Sequence, residues 1–111
     1  MKARWLAVSA VAVVLAAGQA SAAISKDEAM ELAKKSGCLA CHSVEKKVVG
    51  PSWQDVANKY KGDAATKDKL IAKVKAGGKG VWGEVPMPPY SPRVPDADIE
   101  KLVEYVISIA K

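Results

Sequence analysis

Cys38, Cys41 and His42 are the side chains in this sequence best suited to hold a metal-bearing group. They fall in Cys38-Leu39-Ala40-Cys41-His42 and use both cysteines and the single histidine of the chain. Two thiols at C-x-x-C spacing can bond as thioethers to the two vinyl groups of one haem, and the histidine that follows is placed to ligate its iron. Three other readings carry less. A redox dithiol usually opens a helix that follows a strand, whereas the segment before Cys38 reads as helix with no β-rich run. A structural zinc site needs four protein ligands, and no further cysteine or histidine exists to complete the set. A disulfide between Cys38 and Cys41 would close a tiny loop and add little stability.

Haem iron has two axial positions, and whatever occupies the second decides between closed and open chemistry. With no second histidine, the methionines are the candidates. Met30 lies on an apolar helical stripe, where methionine usually packs. Met87 stands in Pro86-Met87-Pro88-Pro89, where prolines stiffen the backbone and lower the entropy lost in holding a thioether against iron. Enough chain separates it from His42 to pass through two helices and return on the far face. Met87 is therefore the expected second ligand. The competing reading makes Met87 a gap-filler and the protein a small haem enzyme or gas-binding cytochrome with an open site.

The elements that must position these residues read as all-α. Ser25 and Glu28 have capping-box spacing, with Ile24 and Ala29 placed as a staple, and that first helix ends at Gly37. A second helix is expected from Ser52 to Tyr60, with Trp53, Val56, Ala57 and Tyr60 at helical spacing. A third covers Ala65 to Ala76 and stops at Gly77-Gly78. Gly80 to Pro95 is too rich in Gly and Pro for helix or central strand. A loop of that length in a small domain is usually functional or disordered. The last helix is expected to start with Asp96 as its N-cap and to run to about Ala110, with a stripe of Ile99, Leu102, Val103, Val106 and Ile107.

Residues 1–22 read as a cleaved secretory leader: Lys2 and Arg4, then an apolar run, then Ala20-Ser21-Ala22 as the small-x-small cleavage pattern. The alternative is an uncleaved anchor, since the run approaches the roughly 20 apolar residues of a span. Residues 23–111 then form one small domain, of a size that often needs a staple. A covalent haem is such a staple, and the absence of Phe fits a core whose aromatic bulk comes from a porphyrin. The chain carries 17 Lys plus Arg against 12 Asp plus Glu, a net charge of +5. That excess is mild and almost all lysine, too poor in arginine and aromatic interleaving for nucleic acid. It can steer the protein toward acidic partners.

Gly37 with the Cys38–His42 motif, then Val49-Gly50-Pro51, Gly80-Val81-Trp82-Gly83 and Pro86-Met87-Pro88-Pro89, occur in this order. Together they resemble the short bacterial class I monohaem cytochromes c, the cytochrome c-551 group, from about Glu28 to the C-terminus. The resemblance implies the class I cytochrome c fold, four or so helices wrapped around one covalent haem c. It implies a non-enzymatic electron shuttle with His42 and Met87 as axial ligands; the leader makes the expected location periplasmic, and the small size and closed single-haem plan favour a monomer. Its partners would be redox proteins: a membrane cytochrome complex as donor, and a terminal oxidase, nitrite reductase or peroxidase as acceptor. It also implies that the Pro51 carbonyl accepts the His42 ring N–H, that Trp82 donates to a haem propionate, and that Lys73 lies near a propionate. Gly37 would let the first and last helices cross closely, with Tyr105 as the aromatic on the last one. Two positions depart from the pattern. Ala33 stands where an aromatic is usual, which points to helix packing through Leu32 and Met30, and Tyr90 stands where asparagine is common.

Overall fold

The computed structural model describes residues 23–111, and the leader or anchor read at residues 1–22 lies outside them. Four α-helices are present among the described residues: α1 Lys26–Ser36, α2 Trp53–Lys59, α3 Thr66–Ala76 and α4 Asp96–Ser108. A single 3-10 turn, Cys38–Ala40, follows α1. No strand forms among these residues; the only extended pairings are isolated antiparallel bridges, His42 with Lys47 and Gly78 with Met87. No described helix is long and apolar enough to cross a membrane.

Local chemistry accounts for most helix ends. Ser25 caps α1, its hydroxyl accepting the Glu28 N–H at 3.2 Å, and Ser52 caps α2, accepting the Asp55 N–H at 3.1 Å. Each satisfies one of the free donors that a helix start leaves over. Gly37 closes α1 at φ +86°, a conformation that only glycine adopts without strain. The expectation for α4 needs correction. Pro95 holds the cap position and Asp96 is the first helical residue, with no side-chain cap bond. Asp96 instead reaches back to Lys75 on α3, at 3.2 Å. The helix also ends at Ser108, short of Ala110.

Helices α1, α2 and α3 all pack on α4. The core divides into two clusters along it. One contains Ala29, Ala33, Trp53, Ala57, Leu102, Tyr105 and Val106, with Ile24, Met30 and Leu32 packed at its edge. The other contains Tyr90, Val94, Ile99 and Val103, with Leu70, Ile71, Val74 and Met87 against it. The small residues Ala29 and Ala33 are fully enclosed, at 0% exposure, in the cluster that also buries Trp53 and Tyr105. Those two rings meet edge to face, centroids 6.1 Å apart. Helix α1 therefore packs through its alanines, with Leu32 and Met30 only at the edge, and the aromatic bulk comes from α2 and α4. Gly37 does not make the helix crossing either. A Cβ there would meet the Arg93 guanidinium and the Tyr90 ring, at 3.8–4.0 Å, in the loop before α4.

Ion pairs brace α3 against α4: Lys67 to Glu100 at 3.0 Å and to Glu104 at 2.6 Å, besides Lys75 to Asp96. The hydrogen bonds that Lys67 donates to Glu104 and then to Glu100 raise its ammonium above its ordinary value. Pairs this exposed add modestly to stability, so the apolar clusters dominate.

Two substitutions test this account by thermal unfolding of the haem-loaded protein. Ser52 is buried, at 2% exposure, and its cap bond to the Asp55 N–H is part-buried, so Ser52→Ala removes the cap and leaves a gap in packed surroundings, and should cost about 1–2 kcal/mol. Ser25→Ala removes an equivalent cap in solvent and should cost about 0.5–1 kcal/mol. Equal losses would contradict the burial argument. Ala33→Phe, which restores an aromatic to α1, should overpack the cluster and cost about 1–3 kcal/mol; a stabilised variant would show that space exists beside Ala33.

Candidate functional site

The attachment motif is wound into one tight turn. The N–H groups of Cys41 and His42 both donate to the Cys38 carbonyl, at 3.2 and 2.9 Å. The following loop folds back on it, with the N–H groups of Val49 and Gly50 donating to the Cys41 carbonyl at 3.2 and 2.7 Å. That return brings Gly50 flat against the imidazole. A Cβ on Gly50 would lie 2.7 Å from His42 Cε1 and little more than 3 Å from both ring nitrogens. Glycine is needed here for close approach and not for an unusual φ. The next carbonyl, of Pro51, then meets His42 Nδ1 at 2.7 Å. With Nδ1–H donating to it, the neutral ring presents the Nε2 lone pair, the tautomer suited to binding a metal. Trp53 flanks the same ring, centroids 6.4 Å apart.

Both cysteines are half-buried thiols. Burial pushes the Cys38 thiol above its ordinary value, although the nearby Arg93 charge acts against this. Redox dithiols need a depressed thiol, so this environment speaks against that reading.

Met87 comes to the site from the other side of the fold. The Met87 N–H donates to the Gly78 carbonyl at 2.8 Å, and the Gly78 N–H to the Met87 carbonyl at 3.0 Å, which ties the proline-braced segment to the end of α3. Its side chain packs on the second core cluster, whereas Cys38 packs on the first. Cys38, Cys41, His42 and Met87 all line one cleft backed by Leu102, Val103 and Val106 of α4. The cleft holds about 1110 Å³ of empty space, part of it open to solvent, and its walls are mostly apolar. Met30 is not among its lining residues.

Lys73, Trp82 and Pro51 also line the cleft. Trp82 is 40% exposed, so core packing does not explain it. It sits on the lip, with Lys59 Nζ 5.4 Å from its ring centroid, a cation–π contact worth about 0.5–1 kcal/mol in an exposed place. Lys73 forms no ion pair with a described residue, and its ammonium lies beside Gly78. Tyr90 is a wall of the site that the sequence placed only as a departure from a pattern. Its ring is buried at 6% exposure, the Arg93 guanidinium lies 5.0 Å from the ring centroid, and its N–H donates to the Val74 carbonyl at 3.1 Å. Burial pushes the phenol above its ordinary value, so it stays neutral. Arg93 does not line the cleft, but its guanidinium lies against Tyr90 and beside Gly37 at the end of α1, a contact that nothing in its sequence context signals.

A haem fits this donor set. Paired thiols, a histidine with one nitrogen committed and the other available, a thioether and apolar walls suit a flat, largely apolar ring whose iron takes nitrogen and sulfur ligands. A metal held by protein side chains alone does not fit, since no group of three histidine, cysteine or acidic residues converges among the described residues.

Residues 27–110 match the model of the family described as cytochrome c. The chain is 59% identical over 78 residues to cytochrome c-551 of Allochromatium vinosum, covering 70% of this chain and 82% of that one. It is 46% identical over 111 residues to cytochrome c-552 of Nitrosomonas europaea, covering 98% and 99%. The crystal structure of wild-type Nitrosomonas europaea cytochrome c552 superimposes with a TM-score of 0.68 at 45% identity, over 72% of this chain and 98% of that one. The class 1 cytochrome MtoD of Sideroxydans lithotrophicus superimposes with a TM-score of 0.66 at 32% identity, over 80% and 100%. The chain belongs to the cytochrome c family, and its cofactor is a covalently attached c-type haem with its iron.

Proposed function

We propose that this protein is a periplasmic carrier of single electrons, with Cys38 and Cys41 bonded to the haem and His42 and Met87 as the two axial ligands. One observation carries the reading: His42 and Met87 line the same cleft, Met87 packed on one core cluster and Cys38 of the histidine's own motif on the other, and the Nδ1 of the histidine already meets the Pro51 carbonyl. When bound, the haem supplies an iron that alternates between ferrous and ferric, and Met with His ligation raises its potential relative to more electron-donating pairs. The protein's part is to hold still. The Pro51 carbonyl fixes the imidazole tautomer and strengthens its donor nitrogen. The prolines around Met87 keep the thioether in place at small entropic cost. The apolar walls exclude water. Trp82 on the lip and Lys73 on α3, both lining the cleft, are the residues proposed to receive propionate groups.

A closed iron leaves no position for a substrate, which is the basis for reading the protein as a non-enzyme. The open-site alternative lacks an acid–base partner. His42 is the sole histidine, and Arg93, the sole arginine after the leader, lies against Tyr90. Export follows from the leader read at 1–22.

Electron exchange calls for brief docking near Cys38 and Cys41 by redox proteins: a membrane cytochrome complex as donor, and a terminal oxidase, nitrite reductase or peroxidase as acceptor. The lysines that could steer such docking are Lys46, Lys47, Lys73, Lys75 and Lys79; of these, Lys75 pairs with Asp96 and Lys79 lies 3.7 Å from Glu84. Lys46 and Lys47, next to the exposed Val48 and Val49, are the better candidates. Exposed charges of this kind act in a salt-sensitive way, as suits a monomeric carrier that must release its partner.

Absorption spectra of the oxidised and reduced protein, with and without carbon monoxide, test the ligation. A six-coordinate low-spin iron in both states that resists carbon monoxide is expected; a high-spin iron that binds it at once overturns the carrier reading. Met87→Ala should open the site to carbon monoxide and lower the potential, while Met30→Leu should change neither. A spectral change in Met30→Leu would show the ligand assignment to be wrong.

A further inference from the structure

We propose that Gly77 is a positioning residue for Met87, holding the thioether at its place in the cleft through direct backbone contact. This rests on the reading of Met87 as an iron ligand. Gly77 closes α3 at φ +71°, and its N–H donates to the Lys73 carbonyl at 2.7 Å. A Cβ at this position would run into the Met87 carbonyl oxygen, and would lie 2.8 Å from Pro89 N and 2.9 Å from Pro88 C. Those are backbone atoms, two of them belonging to prolines, and none can swing aside as the end of a long side chain can. Any side chain at 77 must push the Met87–Pro89 backbone off α3.

The contact is the centre of a longer seam. On one side lie the paired hydrogen bonds between Gly78 and Met87. On the other, the N–H groups of Tyr90 and Ser91 donate to the carbonyls of Val74 and Lys75, at 3.1 and 3.3 Å. These four bonds fix the ligand segment in register on the last turn of α3, which is itself braced to α4 through Lys67 and Lys75. The lip between the seam's ends is tied far less. Its contacts are one bond from the Gly80 N–H to the Gly83 carbonyl at 2.9 Å, the Lys59–Trp82 contact and the long Lys79–Glu84 pair. The position of Met87 is thus set by α3 through Gly77, and not by the loop that leads to it.

Gly62 separates close approach from backbone strain. It has a similar φ, +85°, but a Cβ there would meet nothing within 4 Å. Gly77→Ala, Gly62→Ala and Met87→Ala are compared in the haem-loaded full chain. The readouts are the thioether-to-ferric-iron charge-transfer band, the reduction potential and carbon monoxide uptake by the ferrous form, all taken well below each variant's unfolding temperature. Gly62→Ala should lose thermal stability but keep the band and the potential. Gly77→Ala should lose most of the band, fall in potential and take up carbon monoxide. A Gly77→Ala protein that matches Gly62→Ala in all three overturns the inference while leaving the ligand reading intact. A Met87→Ala protein that keeps the band overturns the ligand reading and this inference with it. If Gly77→Ala yields no loaded protein, amide hydrogen exchange on the unaltered protein decides. The Met87 and Tyr90 amides should exchange as slowly as that of Gly77 and far more slowly than those of Val81 and Val85, because the seam opens as one unit. Fast exchange at Met87 and Tyr90 overturns the proposal.

Discussion

Helix α4 is the surface on which α1, α2 and α3 each pack, and among the described residues no two of those three pack closely on one another. The middle of the molecule, where a larger protein would place further core, is therefore a cleft with α4 at its back. Two apolar clusters lie along α4, one bearing the cysteines' end of the site and the other bearing Met87. A chain this small buries little apolar surface of its own. A haem attached as proposed, through Cys38 and Cys41, would join the two clusters and serve as structure as much as chemistry.

The two sides of the site are made rigid by different means. On the histidine side the devices are local in sequence: a one-turn motif, a loop that returns to the Cys41 carbonyl, a glycine that lets backbone touch the ring, and the Pro51 carbonyl at Nδ1. On the methionine side they are long in range, since Met87 belongs to a loop and takes its position from α3. Loss of one contact has correspondingly different reach. A defect at Gly50 disturbs one ring, whereas a defect in the α3–α4 packing moves the whole Met87 segment.

The sequence made the donor atoms and most helix ends legible, because those depend on residue type at short spacing: the C-x-x-C-H motif, Ser25 and Ser52 as caps, Gly37 as a stop. What it hid was set by tertiary packing. Asp96 has the composition of a cap, but its carboxylate is drawn to Lys75, and Pro95 takes the cap position. Ala33 looked like a lost aromatic, yet Trp53 and Tyr105, remote in sequence, fill that cluster and make a small residue fit. Gly37 was read as a helix-crossing residue, but its neighbours are Arg93 and Tyr90, which no local pattern connects to it. Tyr90 was visible only as the wrong residue for asparagine. Its burial against Val94, Ile99 and Val103 follows from where the Met87 segment leads.

The uneven stiffness of the cleft bears on what it can do. An electron carrier works best when its ligands sit alike in both oxidation states, so that little has to rearrange at each transfer. The structure concentrates short backbone contacts at His42 and at Met87, the two residues proposed as iron ligands. It leaves Val81, Trp82 and Val85 exposed on a glycine-rich lip with few bonds. Side chains on that lip can adjust without moving Met87, because the seam between Gly78 and Ser91 ends the lip before it reaches the methionine. A loosely tied surface and a fixed Met87 backbone are thereby assigned to adjacent stretches of one loop, with Gly77 and Gly78 at the boundary between them.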